Sequence, residues 1–188
     1  MSSGTLDAGR LHFLDESGIR VGETRRTGLS KPGQRIVEKV PTTHWDAITM
    51  IGTLGVGGVT SMATIDGALD GDAYAAYVEQ VLVPVLEPGD VVVMDNLRVH
   101  SNAEAIEAIE RAGARVLWLP PYSPDFNPIE QVWSKLKALV RAAGARTRSA
   151  LDEAIADALS AITAANARAW FAYCGYSSGS AADLGATE

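Results

Sequence analysis

The chain has 188 residues, 47% of them hydrophobic and 21% charged, with a formal net charge of −7. That fits one globular domain with a sizeable core, and it excludes low-complexity and membrane-spanning classes, since no apolar stretch reaches a span. A single cysteine, Cys174, excludes an internal disulfide and a cysteine-based zinc cluster and suits a reducing cytoplasm.

The distribution of charge says more than its sum. Residues 40–97 hold eight acids and no Lys or Arg, whereas residues 10–39 hold seven basic and four acidic residues. Residues 131–151 carry Lys135, Lys137, Arg141, Arg146 and Arg148 and no acid. Two basic stretches thus sit on an acidic body. Solvated helix and hairpin surfaces explain such stretches as readily as a polyanion partner does.

Residues 1–9 and 177–188 are small and polar and read as tails around a domain spanning 10–176. The first residues lack the basic and apolar regions of a signal peptide. Residues 10–15 predict a first strand. A turn-rich basic segment follows, with further strands predicted around Arg20–Arg25 and Gln34–Val40. Trp45–Leu54 and Val59–Ile65 read as a hairpin closed by Gly55-Val56-Gly57-Gly58. From Asp72 the period becomes helical, through Tyr74, Tyr77, Val78, Val81, Leu82, Val85 and Leu86, with Pro84 shortening or bending the helix. Val91–Asp95 is a short apolar strand of the kind covered on both faces. Ser101–Ala112 predicts a helix with a Ser101–Glu104 capping box, and Ala114–Leu119 the next strand. Asn127–Ala143 predicts a helix with an apolar face of Ile129, Val132, Trp133, Leu136, Leu139 and Val140; helices over Ser149–Ala164 and Asn166–Tyr173 follow. Hairpin strands followed by alternating helices and strands describe a mixed α/β sheet flanked by helices.

Three acids end these elements. Asp95 closes the Val91–Met94 run, at the strand edge where open α/β sheets bind ligands, though a turn-closing Asp explains it equally well. Thirty-four residues separate it from Glu130, which follows Leu119-Pro120-Pro121-Tyr122-Ser123-Pro124-Asp125-Phe126-Asn127-Pro128-Ile129. Asn127 as N-cap, Pro128 at the first helical position and Glu130 three residues after the cap make a capping box, the simpler reading of Glu130 alone. Asp15 and its neighbour Glu16 fall on opposite faces of the first strand; Asp15 shares its face with Leu11 and Phe13 and is the inward acid if that face meets the Glu130 helix. His100, just before a helix start, has an ordinary structural reading and a second one as a support or phosphate contact near the acids.

With these residues in place, the chain resembles a DDE transposase catalytic domain of the mariner-like superfamily, specifically the bacterial insertion-sequence family six-thirty. The likeness rests on Phe13-Leu14-Asp15-Glu16-Ser17, on Gly89–Asn96 with His100, on Leu119–Glu130 followed by Trp133-Ser134-Lys135-Leu136-Lys137, and on Phe171–Tyr176. The resemblance implies a ribonuclease-H-like fold and a catalytic, metal-binding triad of Asp15, Asp95 and Glu130. It makes the capping role of Glu130 secondary. It also implies two Mg²⁺ ions, with Mn²⁺ as a substitute, because carboxylates suit these hard cations. Implied partners are DNA, as transposon ends and target, a second copy of the chain, and a helix-turn-helix domain or separate protein, with no membrane. Such recognition modules precede the catalytic domain in the family, whereas this chain starts about a dozen residues before Asp15. Arg25, Arg26, Lys31 and Arg35 on one side, Lys135, Lys137 and Arg141 on the other, and His100 are the expected DNA contacts. A ribonuclease-H-like nuclease that only hydrolyses, and an inactive DNA-binding remnant, are the alternatives.

Overall fold

The computed structural model describes residues 6–23, 31–34, 47–121 and 123–176. Five strands form one sheet: β1 (Leu11–Arg20), β2 (Ala47–Gly55), β3 (Gly58–Asp66), β4 (Val91–Met94) and β5 (Arg115–Trp118), in the order β3-β2-β1-β4-β5. β1, β2 and β3 pair antiparallel, while β4 runs parallel to both β1 and β5. The mixed sheet with a meander at its front is therefore the arrangement the sequence predicts. β1 is longer than expected and runs on through Gly18 to Arg20. The strands predicted around Arg20–Arg25 and Gln34–Val40 lie, beyond Arg20, mostly outside the described residues. The expected tail is already structured at residue 8, where Asp7 caps a 3₁₀ turn over Ala8–Arg10 and Ala8 is buried.

Alternation along the strands splits the apolar side chains between two cores. Leu11, Phe13, Val91 and Val93 face one layer of helices: α3 (Ile129–Ala143), α4 (Arg148–Ser160) and α5 (Ala164–Tyr173). Leu14, Ile51, Val92 and Met94 face the other: α1 (Gly71–Tyr77) and α2 (Ala103–Arg111). β4 is thus buried on both faces, as its unbroken Val-Val-Val-Met run predicts. α3 buries Ile129, Val132, Trp133, Leu136 and Val140, and Leu139 remains 37% exposed on the flank of that stripe.

Two helix starts differ from the sequence expectation. α2 is capped by Asn102, whose side chain accepts from the Ala105 N–H at 3.1 Å; Ser101 instead ends a 3₁₀ turn, Arg98–Ser101. α3 begins at Ile129, with Pro128 in the cap position at φ −66°, ψ −18° and no side-chain cap bond. Those dihedrals are already helical and proline has no side-chain oxygen, so the Asn127–Glu130 capping box does not form. The helix opened by α1 widens into a π-turn over Val78–Leu82 and tightens to 3₁₀ at Val83–Val85. Pro84 lacks the N–H that an α-turn needs, which accounts for the deformation.

Candidate active site

Asp15 lies on β1, four residues beyond Leu11, where the strand's parallel pairing with β4 starts and in which Phe13 stands opposite Val93. Two residues further along come Asp15, still within β1, and Asp95, just past the end of β4. Across the other ladder Asp15 faces Gly52. Glu130 occupies the first turn of α3, the helix packed over that same face. The three carboxylates line one cleft of about 430 Å³, together with Asn96, Leu97, Leu119, Pro120, Ser123 and Asn127.

Each acid has a different environment. Asp15 is buried, 9% exposed. Burial, then the negative charges of Glu16, Glu130 and Asp95, push its carboxyl up from 3.8 to about 7, against one stabilising bond from the Glu16 N–H at 2.9 Å. Asp95 is held below the usual carboxylate range, chiefly by its hydrogen bond with His100, aided by the Leu97 N–H and opposed by partial burial. Its Oδ1 takes both bonds, from Leu97 N at 3.0 Å and with His100 Nδ1 at 2.8 Å; its Oδ2 has no partner among the described residues. Glu130 is exposed, and its side chain likewise has no partner among the described residues. Because the capping box does not form, its carboxylate is free to turn into the cleft.

The surrounding residues hold this edge. Asn96 donates from Nδ2 to the Leu119 carbonyl at 2.7 Å, joining the ends of β4 and β5. The Tyr176 hydroxyl donates to the Phe126 carbonyl at 2.8 Å and so secures the turn Pro124–Phe126 ahead of α3. Asn127 is buried beside the cleft, and its Oδ1 has no hydrogen-bond partner among the described residues. The sequence reading missed Asn96; its signal was an amide next to a strand-end acid, where a side chain can reach the neighbouring strand.

The expected DNA contacts divide sharply. Arg25, Arg26 and Arg35 lie outside the described residues, and Lys31 sits exposed in the short stretch 31–34. Lys137 is partly exposed on α3, without a partner among the described residues. Lys135, by contrast, donates from Nζ to the Ala161 carbonyl and to Asn166 Oδ1, both at 2.7 Å, and so bridges the end of α4 and the start of α5. Arg141 pairs with Glu23 at 3.0 Å, tying α3 to the segment after β1. Both cations have partners inside the fold and act as ties between its elements. His100 lies deeper than either. It has no exposed surface, and both ring nitrogens are taken, by Asp95 at 2.8 Å and Glu16 at 2.9 Å, so no phosphate reaches it.

Among the described residues, no three metal-ligating side chains stand in ready-made coordination. The donors nonetheless fit a hard divalent cation: three carboxylates share one cleft, and each keeps an oxygen without a partner among the described residues. Burial first, and then the charges of Glu16, Glu130 and Asp95, raise Asp15 to about 7, an environment that a bound cation would relieve.

A five-stranded mixed sheet between two helical layers, with acids at the ends of its adjacent central strands and at the head of the covering helix, defines a ribonuclease-H-like domain. The chain belongs to the DDE superfamily endonuclease family, whose model matches residues 10–152. Solved structures share the fold. The chain aligns with the Mos1 strand transfer complex at TM-score 0.68 and 17% identity, covering 89% of this chain and 52% of that one. The Mos1 mariner paired end complex with Mn aligns at TM-score 0.70 and 14% identity, over 89% and 53%. The catalytic domain of Mos1 mariner transposase aligns at TM-score 0.62 and 12% identity, over 89% and 78%. The chain thus spans about half the length of the transposases in the two complexes. No curated protein matches it.

Proposed function

We propose that this chain is the catalytic domain of a DDE transposase of the bacterial insertion-sequence family six-thirty, cleaving DNA and joining its 3′ ends to target DNA. The observation that carries the reading is the meeting of Asp15, Asp95 and Glu130 in one cleft, with Asp15 pushed up to about 7 by burial and by its acidic neighbours. Asp15 and Asp95 would hold divalent metal, and Glu130 would add a further ligand or orient the nucleophile. Bound there, Mg²⁺ or Mn²⁺ supplies an activated water and charge stabilisation at the leaving oxygen.

The chain's own residues position the reaction. Asp15 lies at the cleft floor, rigid in the β1 ladder, while Asp95 and Glu130 approach from its rim. Attack of water on a phosphodiester breaks the P–O3′ bond, leaving a 3′-hydroxyl and a 5′-phosphate. That hydroxyl then attacks a target phosphodiester, forming one P–O bond as another breaks. Lys137, seven residues from Glu130 on the same side of α3, contacts the DNA backbone beside the cleft. Arg25, Arg26, Lys31 and Arg35 are the further cations proposed to contact phosphates. Two copies of the chain act on paired ends, and a helix-turn-helix module supplies end recognition.

The test is metal-dependent nicking and joining of DNA by the wild-type chain and by Asp95→Asn and Glu130→Gln. Loss of both activities in both variants is expected; wild-type activity in either would sink the assignment. Nicks without joined products would point to the purely hydrolytic nuclease.

A further inference from the structure

Glu16 follows Asp15 directly and points the other way. Strand alternation places it on the Leu14 side of the sheet, behind the carboxylate cleft. There its Oε2 lies 2.9 Å from Nε2 of His100, while His100 Nδ1 lies 2.8 Å from Asp95 Oδ1. The imidazole is fully buried, with its ring centroid 5.2 Å from that of Tyr74. Its place is set by the 3₁₀ turn Arg98–Ser101, in which the His100 N–H donates to the Leu97 carbonyl at 2.9 Å. The Leu97 N–H in turn donates to Asp95 Oδ1, so the backbone and the ring grip the same oxygen.

We infer that Glu16 and His100 are positioning residues that hold the Asp95 carboxylate from behind and leave its Oδ2 to bind divalent metal. The inference rests on the proposed metal-dependent reading of the cleft. It divides two adjacent acids by role: Asp15 faces the cleft as a ligand, and Glu16 anchors the ring that orients the other ligand. Hydrogen-bonded supports of this kind fix the rotamer of a ligating side chain, and their loss weakens metal binding even though they never touch the ion. Asp95 depends on such a support because its side chain is half exposed and beyond the last paired residue of β4. An unsupported carboxylate there would sample several rotamers, only some of them facing Asp15.

Calorimetric titration of the full chain with Mn²⁺ alone tests this. Glu16→Ala is expected to weaken Mn²⁺ binding by about tenfold, measured on folded protein and so beyond any loss of stability from leaving His100 Nε2 without its partner. Glu16→Gln keeps an acceptor oxygen for His100 and should bind near the wild-type value. A merely structural Glu16 would lower stability and leave Mn²⁺ affinity alone. His100→Asn, too short to bridge both acids, is the second arm and should show the same loss as Glu16→Ala; it decides the matter if Glu16→Ala does not fold. Unchanged Mn²⁺ affinity in both folded variants overturns the inference, and loss of binding in Asp95→Asn would then leave the metal reading standing. Failure of the wild-type chain to bind Mn²⁺ overturns both.

Discussion

Gly52 stands directly opposite Asp15 in the β1–β2 ladder, and the space its missing Cβ leaves is bordered by Trp133 of α3. A Cβ at position 52 would lie 2.9 Å from the Ser61 carbonyl oxygen and 3.5 Å from Trp133 Cη2. The first distance is below any real contact, and the atom concerned is backbone in the adjacent strand. Gly52 therefore lets β3 and α3 close on the sheet at the level of the buried acid. Trp133 lies one turn after Glu130, so the seat of Trp133 also sets the height of Glu130 above Asp15.

Gly52→Ala is accordingly expected to cost about 1–3 kcal/mol through overpacking. It should depress nicking by more than the folded fraction explains, because α3 carries Glu130 away from the cleft. Thermal unfolding and single-turnover nicking, measured on the same preparation, check this; a fully stable and fully active Ala variant would remove Gly52 from the account.

Asp15 makes the metal-free protein sensitive to pH. Its folded value, about 7, lies above the ordinary 3.8, so the folded state holds the proton more tightly than the unfolded chain. That contribution is fully present below 3.8 and is lost as pH rises through 7, on the order of 4 kcal/mol in all. His100 acts in the same direction over a later window. Burial lowers it, but hydrogen bonds and charge from Asp95 and Glu16 outweigh that and raise it from 6.5 to about 9. Its contribution is therefore complete below 6.5 and lost through 9. In chelator, the melting temperature should fall from pH 5 to pH 9. Asp15→Asn should remove the earlier part of that fall and leave the later one. Mn²⁺ added at pH 8 should restore stability in wild type, since the cation replaces the missing proton.

Much of this architecture is visible in the chain itself, and the exceptions have physical causes. The Val91–Met94 run, four apolar residues between turn signals, declares a strand buried on both faces, and it is one. The period of α3 declares its buried stripe through Ile129, Val132, Trp133, Leu136 and Val140. Pairwise alternation separates Asp15 from Glu16 correctly. What spacing cannot reveal is where a side chain spends its charge. Lys135 and Arg141 look like free cations beside Glu130, yet their partners, Ala161 with Asn166 and Glu23, are 26 or more residues away in sequence. His100 and Glu16 meet across 84 residues, and no local pattern announces that pair. The capping box at Asn127 failed for a local reason, the helical dihedrals of Pro128, which residue types alone do not dictate.

The three cations of α3 should therefore separate in a salt titration of DNA binding. Lys137→Ala removes a phosphate contact and is expected to lower the slope of log affinity against log salt by about one. Arg141→Ala should leave that slope unchanged and weaken only the tie to Glu23. Lys135→Ala should lower stability by about 1 kcal/mol or more, since the Ala161 carbonyl and Asn166 lose a charged donor. A slope reduced equally by all three would return Lys135 and Arg141 to the DNA surface.

Tyr176 offers a test of how the loop before α3 governs the site. Its ring packs on Phe13 at 4.9 Å and on Phe171 at 6.0 Å, and its hydroxyl donates to the Phe126 carbonyl at 2.8 Å. Phe13 precedes Asp15 by two residues on the same face, and Phe126 precedes Glu130 by four. One side chain from beyond α5 thus braces the approaches to two of the three acids. Tyr176→Phe keeps the ring packing and deletes the hydrogen bond, so the expected loss is about 1 kcal/mol, or about 2–4 °C in melting temperature for a domain of this size. Amide exchange at Phe126 and its neighbours should quicken, while exchange in β1 stays as in wild type. Turnover should fall with the loosening of Glu130, and Mn²⁺ held by Asp15 and Asp95 should bind nearly as well as before. Faster exchange in β1 instead would mean that Tyr176 serves the core through Phe13 and not the loop.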